Sequence, residues 1–164
     1  MGLFDFLFKS NKPKTVKKET RQISTLDINQ TLLLAEENKY VNDDLAKQLY
    51  AHAYEITQNN IIDRHFLYNQ LIDYYYGLRD KEEDALTICK KFCIESIAHT
   101  SNFLKEDEKQ HNRLYKDSRE KRDYIAPRIP AFQRLAIIYE NENEFDKAVE
   151  VCQKALDLNL KDGT

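Results

Sequence analysis

The sequence predicts an all-α protein, and three observations support this prediction. Only three glycines and three prolines occur in 164 residues, so sharp turns are few. Leu, Lys, Glu and Gln, which favour helices, are abundant. Apolar residues recur at helical spacing over most of the chain after about residue 27. Together these features favour several long helices over a sheet of many strands.

The composition is that of one globular domain. A chain of 164 residues can bury its own core, and contents of 41% hydrophobic and 32% charged residues are neither fibrous nor disordered. No run of about 18 apolar residues occurs, so no segment is predicted to span a bilayer. Three cysteines without disulfide spacing and the lack of a secretory signal predict a cytoplasmic protein. Abundant Lys, Asn, Ile and Tyr are typical of AT-rich bacterial or phage genomes.

Charge is distributed unevenly along the chain. Residues 1–22 hold six basic and two acidic side chains, a net of +4. Residues 100–128 hold eight basic and six acidic side chains, a net of +2, and the remainder has a net of −9. An acidic body with a basic N-terminal tail is informative about partners rather than about fold.

The first residues, MGLFDFLF, carry an apolar pattern of their own. In a helix, one stripe would consist of Leu3, Phe4, Leu7 and Phe8. A Lys-rich linker without apolar periodicity follows, so residues 1–22 are predicted to be an amphipathic stretch and a flexible basic linker. Three interpretations of the stripe are open. It docks on the helical domain or on a partner protein, it attaches weakly to a membrane surface, or it has no role.

The remaining residues, 23–164, are predicted to be a helical domain. A first helix is expected from about Asp27 to residue 38, and a second over residues 44–58 with Asn42 or Asp43 as its N-cap. A third helix is predicted to begin with Asp63 as its N-cap and to stop around residue 77.

The later helices enclose an irregular charged insertion. A fourth helix is predicted after Asp80, ending near residue 99, with acidic residues in its first turn. Residues 100–126 are polar nearly all round, which predicts a solvated loop or an exposed helix. Pro130 suits a first helical turn, with an extended residue before it. The last helices, over residues 131–143 and 144–159, are joined by a short polar turn.

Aromatic, small and apolar residues recur at fixed spacing in residues 129–160. They are Phe132, Leu135, Ala136, Tyr139, Phe145, Ala148, Cys152 and Ala155, followed by Leu160. This segment resembles a tetratricopeptide repeat, with the signature W-x2-L-G-x2-Y, A-x3-F and a late proline. Two weaker copies have second-helix residues Ala46, Tyr50 and Ala53, and Ala85, Cys89 and Phe92. The resemblance implies a short superhelical array of about three antiparallel helix pairs.

The resemblance also implies a protein–protein interaction module or adaptor. In that family the first helix of each repeat lines a concave groove that receives a peptide or a partner helix. The corresponding groove residues are Asn69, Asp73, Tyr76, Gln133, Arg134 and Ile137. An exposed tyrosine suits such an interface, although Tyr76 equally fits a role in sealing its helix end. Family members that grip a terminal carboxylate use Lys and Asn at these places, so that ligand class is not expected.

An internal basic cluster suggests an alternative function. Residues 113–122 contain Arg113, Lys116, Arg119, Lys121 and Arg122, with Tyr115 among them. Such a patch can bind nucleic acid through phosphate neutralisation and base stacking. The other interpretation is a solvated loop face. The alternative function is therefore a nucleic-acid-associated protein that uses residues 113–122 and the Lys-rich N-terminal tail, or a peripheral membrane adaptor that attaches through residues 3–8. A homo-oligomer is also compatible with the sequence.

The sequence predicts no enzyme activity, no metal and no cofactor. The four histidines are scattered, and no glycine-rich loop is available to hold phosphate. Cys89 and Cys93 share a helix face, but nothing supplies the second pair of ligands that zinc requires. Cys89 and Cys152 are instead expected to be small core residues.

Overall fold

The computed structural model describes residues 23–116 and 122–160, which form six α-helices and no strand. The helices are α1 (Ile28–Asn38), α2 (Asp43–Ile56), α3 (Ile61–Gly77), α4 (Ala85–Tyr115), α5 (Pro130–Asn141) and α6 (Phe145–Asp157). The all-α prediction is confirmed. The predicted stripe of Leu3, Phe4, Leu7 and Phe8, the linker, and the patch residues Arg119 and Lys121 lie outside the described residues. None of the described helices is long and apolar enough to cross a membrane.

Side-chain caps explain where the first two helices begin. The Asp27 carboxylate accepts from the backbone N–H of Gln30 at 2.9 Å, and the Gln30 side chain accepts from the N–H of Asp27 at 3.2 Å. This reciprocal pair is a capping box. The Asn42 side chain accepts from the N–H of Leu45 at 3.2 Å and caps α2. Both predicted starts are confirmed.

The predicted N-cap of α3 is wrong by three residues. The Asn60 side chain accepts from the backbone N–H groups of Ile62 and Asp63, at 3.2 and 3.1 Å. Asn60 therefore occupies the capping role, and Asp63 lies in the first turn of α3. The helix ends at Gly77, as predicted.

The predicted bounds of the fourth helix are wrong at both ends. The helix α4 begins at Ala85 and continues to Tyr115, so more than half of the charged insertion is helical. Its outer part keeps a buried side, since Thr100 is fully buried and Phe103 is 2% exposed. Polar residues occupy the rest of the circumference, so the exposed helix, one of the two alternatives predicted for residues 100–126, describes residues 100–115.

The chain divides into two compact units, Met1–Tyr74 and Tyr75–Thr164, with the boundary inside α3. In the first unit, α1 packs on α2. Its buried side chains include Leu49, Tyr50, Leu67, Leu71 and Tyr74. The Tyr50 and Tyr74 rings lie 5.1 Å apart, and the Tyr74 hydroxyl donates to the carboxylate of Asp43 at the start of α2.

In the second unit, α5 packs on both α4 and α6. Buried side chains include Tyr75, Phe92, Phe103, Phe132, Leu135 and Ile138. Lys90 of α4 forms an ion pair at 2.7 Å with Glu142, the residue after α5. These contacts hold α5 against α4, and the ion pair lies at the C-terminal end of α5.

Asparagines in the left-handed conformation end α5 and α6. Asn143 has φ of 60° and Asn159 has φ of 52°. The N–H of Glu144 donates to the carbonyl of Tyr139 at 2.8 Å, closing a Schellman motif. The predicted polar turn between the last two helices is confirmed, and so are Pro130 in the first turn of α5 and an extended residue before it.

Candidate partner-binding surface

Tyr76 is half-buried near the end of α3, and two arginines lie over its ring. The guanidinium carbon of Arg134 is 3.7 Å from the ring centre, and that of Arg79 is 4.3 Å away. Arg79 also donates to the backbone carbonyl of Tyr76, with an Nη1–O distance of 2.8 Å. A guanidinium over an aromatic face is attractive by about 0.5–1 kcal/mol where it is solvent-exposed. These contacts restrict the positions of two charged groups.

A third arginine, Arg128, contacts Gln133, the residue before Arg134. Arg128, which precedes α5, donates to the side-chain oxygen of Gln133 in the second turn of the helix. Arg79, Arg128 and Gln133 are exposed, and Arg134 is half-buried. We call Tyr76, Arg79, Arg128, Gln133 and Arg134 the arginine surface. Ile137, one turn further along α5, is half-buried.

The charge of Arg134 also acts on the buried thiol of Cys93 in α4. The hydrogen bond with Cys89 and burial raise the pKa of the Cys93 thiol far above its usual range, against a smaller opposing effect of the Arg134 charge. The prediction that Cys89 is a core residue is confirmed. The same prediction for Cys152 is wrong, because α6 packs through Val151 and Ala155 and leaves Cys152 exposed.

Two predicted groove residues, Asn69 and Asp73, belong to the first unit and have contacts there. The Asn69 side-chain nitrogen lies 3.1 Å from Nε2 of His65. Lys39 Nζ lies 3.0 Å from Asp73 and 2.5 Å from Glu36. Burial lowers the pKa of Lys39, but hydrogen bonds and charge from the two carboxylates outweigh this effect and raise it. Asp73 is thus already paired within its own unit.

Four of the six predicted groove residues belong to the second unit. Tyr76 and Arg134 are in contact, and Gln133 and Ile137 lie on the same helix as Arg134. Arg79 and Arg128 were not among the predicted groove residues. Arg79 follows the tyrosine by three residues, which is a helical contact spacing and was an available signal. Nothing in the sequence pattern indicated that Arg128 would reach Gln133.

The basic patch lies at the C-terminal end of α4. Its described members are Arg113, Lys116 and Arg122, and the Arg122 guanidinium carbon is 5.8 Å from the Tyr115 ring centre. An open concavity along the helix is lined by Lys105, Glu108, Lys109, Asn112, Arg113 and Lys116. Lys105 and Lys109 were not among the predicted patch residues, although their four-residue spacing toward Arg113 indicates one helix face.

The segment after the patch returns along α4. The Tyr124 hydroxyl donates to the Asp107 carboxylate at 3.0 Å, and the Tyr124 ring lies 5.6 Å from the ring of His111. Burial, together with the hydrogen bond and negative charge of Asp107, raises the pKa of Tyr124. These contacts hold Tyr124 against one side of the helix.

Comparisons of the chain with protein-family models, with curated proteins and with solved structures give no match. In the part of the chain that the structure describes, no three His, Cys, Asp or Glu side chains come together as metal ligands. The interpretation of the arginine surface therefore depends on its own geometry and chemistry.

Proposed function

We propose that this protein is an adaptor that binds a peptide or helix of a partner protein through the arginine surface. The observation that carries the proposal is the contact of Tyr76 with both Arg79 and Arg134. Tyrosine and arginine are the side chains that contribute most often to binding energy at interfaces. Because the ring restricts the guanidinium groups before binding, less side-chain entropy is lost when a partner docks. Binding rather than catalysis is the proposed role.

The partner segment is proposed to carry acidic side chains. The surface has three guanidinium groups, those of Arg79, Arg128 and Arg134. The Asp80 carboxylate lies 3.4 Å from the guanidinium of Arg79. Guanidinium groups bind carboxylates through paired hydrogen bonds, which fixes orientation as well as charge. An acidic peptide therefore fits this surface better than a neutral one.

A short tetratricopeptide-like array of three helix pairs is the architecture that we propose for the adaptor, with the cytoplasm as its location. Support comes from the packing of α1 on α2 and of α5 on α6, each pair joined by a short connection. Phe132 and Leu135 are each 2% exposed, as the corresponding repeat positions require. Phe145, at 58% exposure, departs from the repeat pattern.

The test compares partner capture by the wild-type full chain with capture by substituted forms of it. Baits carrying Tyr76→Ala with Arg134→Glu, or Ile137→Glu, are expected to lose the partner captured by the wild type. The matched control is Lys105→Glu with Lys109→Glu, which reverses two charges on α4 of the same unit. Quantitative mass spectrometry measures recovery, and circular dichroism confirms that helical content is unchanged. Equal recovery on all baits would reject the arginine surface as the binding site.

The second candidate function is nucleic-acid binding through α4. The specific observation is that Lys105, Lys109, Arg113 and Lys116 share one open concavity. Such a face would bind through phosphate neutralisation, so affinity should fall steeply with salt. Fluorescence anisotropy with a labelled single-stranded oligonucleotide tests this directly. The Lys105→Glu and Lys109→Glu form should then lose binding, whereas no binding of the wild type at low salt would reject the candidate.

A further inference from the structure

The last helix, α6, has two different apolar faces. Val151 and Ala155, which are 6% and 5% exposed, face the core of the second unit. A second row consists of Phe145, Val149, Cys152 and Leu156. Cys152 is exposed, and the other three are 58%, 68% and 65% exposed. Their spacing of four, three and four residues places them within about 60° of one another around the helix. We call this row the exposed stripe.

An acidic edge borders the exposed stripe on its solvent side. The edge consists of Asp146, Glu150 and Asp157, with Gln153 among them, while Lys147 and Lys154 lie further around the helix. Lys154 forms an ion pair with Glu150 at 2.7 Å, and the Gln153 amide donates to Asp157 at 2.8 Å. Lys154 also lowers the pKa of Glu150 through a hydrogen bond and its charge. An occupant of the stripe must therefore lie beside three carboxylates.

This charge pattern disfavours a second copy of the chain as the occupant. In an antiparallel pair related by a two-fold axis, each edge of a helix faces the same edge of its partner. The acidic edges would then lie against each other, and like charges destabilise such a pair. A parallel pair would place the acidic edge of one α6 beside the core-facing side of the other, which packs within its own unit.

We propose that the exposed stripe is a docking site for a basic amphipathic helix. The occupant would carry apolar side chains at three- and four-residue spacing and lysines or arginines along the edge that meets Asp146, Glu150 and Asp157. Opposite charges across a helix interface fix the register and suppress wrong partners. This site differs from the arginine surface, which is proposed to bind an acidic segment, so each proposal stands or fails separately.

A suitable probe exists in the sequence itself. Residues 1–18 combine Leu3, Phe4, Leu7 and Phe8 with five lysines at positions 9–18. A synthetic peptide of this sequence has both required features. A second peptide with the four apolar residues replaced by Ser keeps the charge and removes the stripe. Comparison of the two separates helix docking from charge attraction.

Alkylation of Cys152 measures occupancy without a further label. Cys89 and Cys93 are buried, so iodoacetamide should modify Cys152 first, which intact mass records as a single addition. The assay uses the full chain with Phe4→Ser and Leu7→Ser, so that its own first residues do not compete with the peptide. At a peptide concentration about ten times its Kd, the alkylation rate should fall about tenfold by mass action.

Matched variants locate the protection. In the same chain, Val149→Glu places a charge in the exposed stripe and should abolish protection, whereas Lys147→Gln on the far side should preserve it, because Lys147 pairs with Glu144 outside the acidic edge. Both positions are exposed, so neither change disturbs the core. Glu150→Lys reverses one charge of the acidic edge. At low salt the peptide should therefore protect Cys152 of this variant less than it protects Cys152 of the parent chain.

Four results would overturn the proposal. The first is no protection by the peptide, and the second is equal protection by its Ser-substituted form. The third is protection that rises with the concentration of the chain alone, which would assign the stripe to a second copy. The fourth is protection by anionic phospholipid vesicles but not by the peptide, which would assign it to a membrane surface.

Discussion

The guanidinium carbon of Arg134 lies 3.7 Å from the centre of the Tyr76 ring, within the second unit. This contact joins the last turn of α3 to α5, two helices that are separated in sequence by all of α4. Both side chains are half-buried, so the ring shields one side of a charged group that still reaches solvent. The pair therefore contributes to the fold and to the chemistry of the arginine surface.

The Tyr76–Arg134 contact predicts a measurable coupling energy. We expect Tyr76→Leu and Arg134→Gln to be non-additive, with an interaction free energy of about 0.5–1 kcal/mol for a partly exposed cation–π pair. The free energies of unfolding of the wild type, the two single variants and the double variant, measured in urea, give this value. Additive effects would show that the ring and the guanidinium do not interact in solution.

Tyr74, which belongs to the first unit, has a different role from Tyr76. Tyr74 is fully buried and its hydroxyl donates to the carboxylate of Asp43, which also pairs with Lys47 at 2.7 Å. Tyr74→Phe removes this donor and should destabilise the protein by about 1.5–3 kcal/mol, the range for hydrogen bonds to charged groups. Thermal unfolding followed by circular dichroism measures the loss. Tyr40→Phe, at a ring that is 60% exposed, is the control and should be close to neutral.

Most helices could be predicted from the sequence because their caps and apolar periods are local signals. Asp27, Asn42 and Pro130 each mark a helix start that the structure confirms. The end of α4 could not be predicted, since its outer half is held by a few buried residues such as Phe103 in an otherwise polar pattern. Tertiary contacts, which the local pattern does not contain, determine that boundary.

Prediction of the candidate site was less complete for a related reason. The repeat resemblance identified Tyr76 and Arg134 by position, and the structure places them in contact. It could not identify Arg128, whose contact with Gln133 depends on the path of the chain before α5. The exposure of Cys152 was also hidden, because α6 carries two apolar rows and the sequence does not state which of them faces the core.

Lys39 predicts a pH dependence in the alkaline range. Its pKa is raised above 10.5 by the carboxylates of Glu36 and Asp73, which outweigh burial. The charged form is therefore stabilised in the folded protein. This contribution is fully present below the ordinary pKa and is lost as pH rises through the folded one.

Lys39→Met tests this dependence. Because Glu36 and Asp73 are largely exposed, we expect a loss of at most about 1 kcal/mol at neutral pH. The difference from the wild type should shrink above pH 10.5, the ordinary value. Urea unfolding at several pH values measures it, with Lys154→Met as an exposed control. A difference that does not change with pH would indicate a packing role for the Lys39 side chain.

The turn between α5 and α6 predicts opposite effects for two small residues at one position. Asn143 has φ of 60°, a region where a β-carbon is unfavourable and glycine is not. Asn143→Ala should therefore destabilise the protein by about 1 kcal/mol, whereas Asn143→Gly should be neutral or slightly stabilising. Urea unfolding measures both. Asn141→Ala, at the last helical residue of α5, is the control for loss of an asparagine side chain. Equal losses for Ala and Gly at position 143 would mean that the side chain of Asn143, rather than its backbone conformation, stabilises the turn.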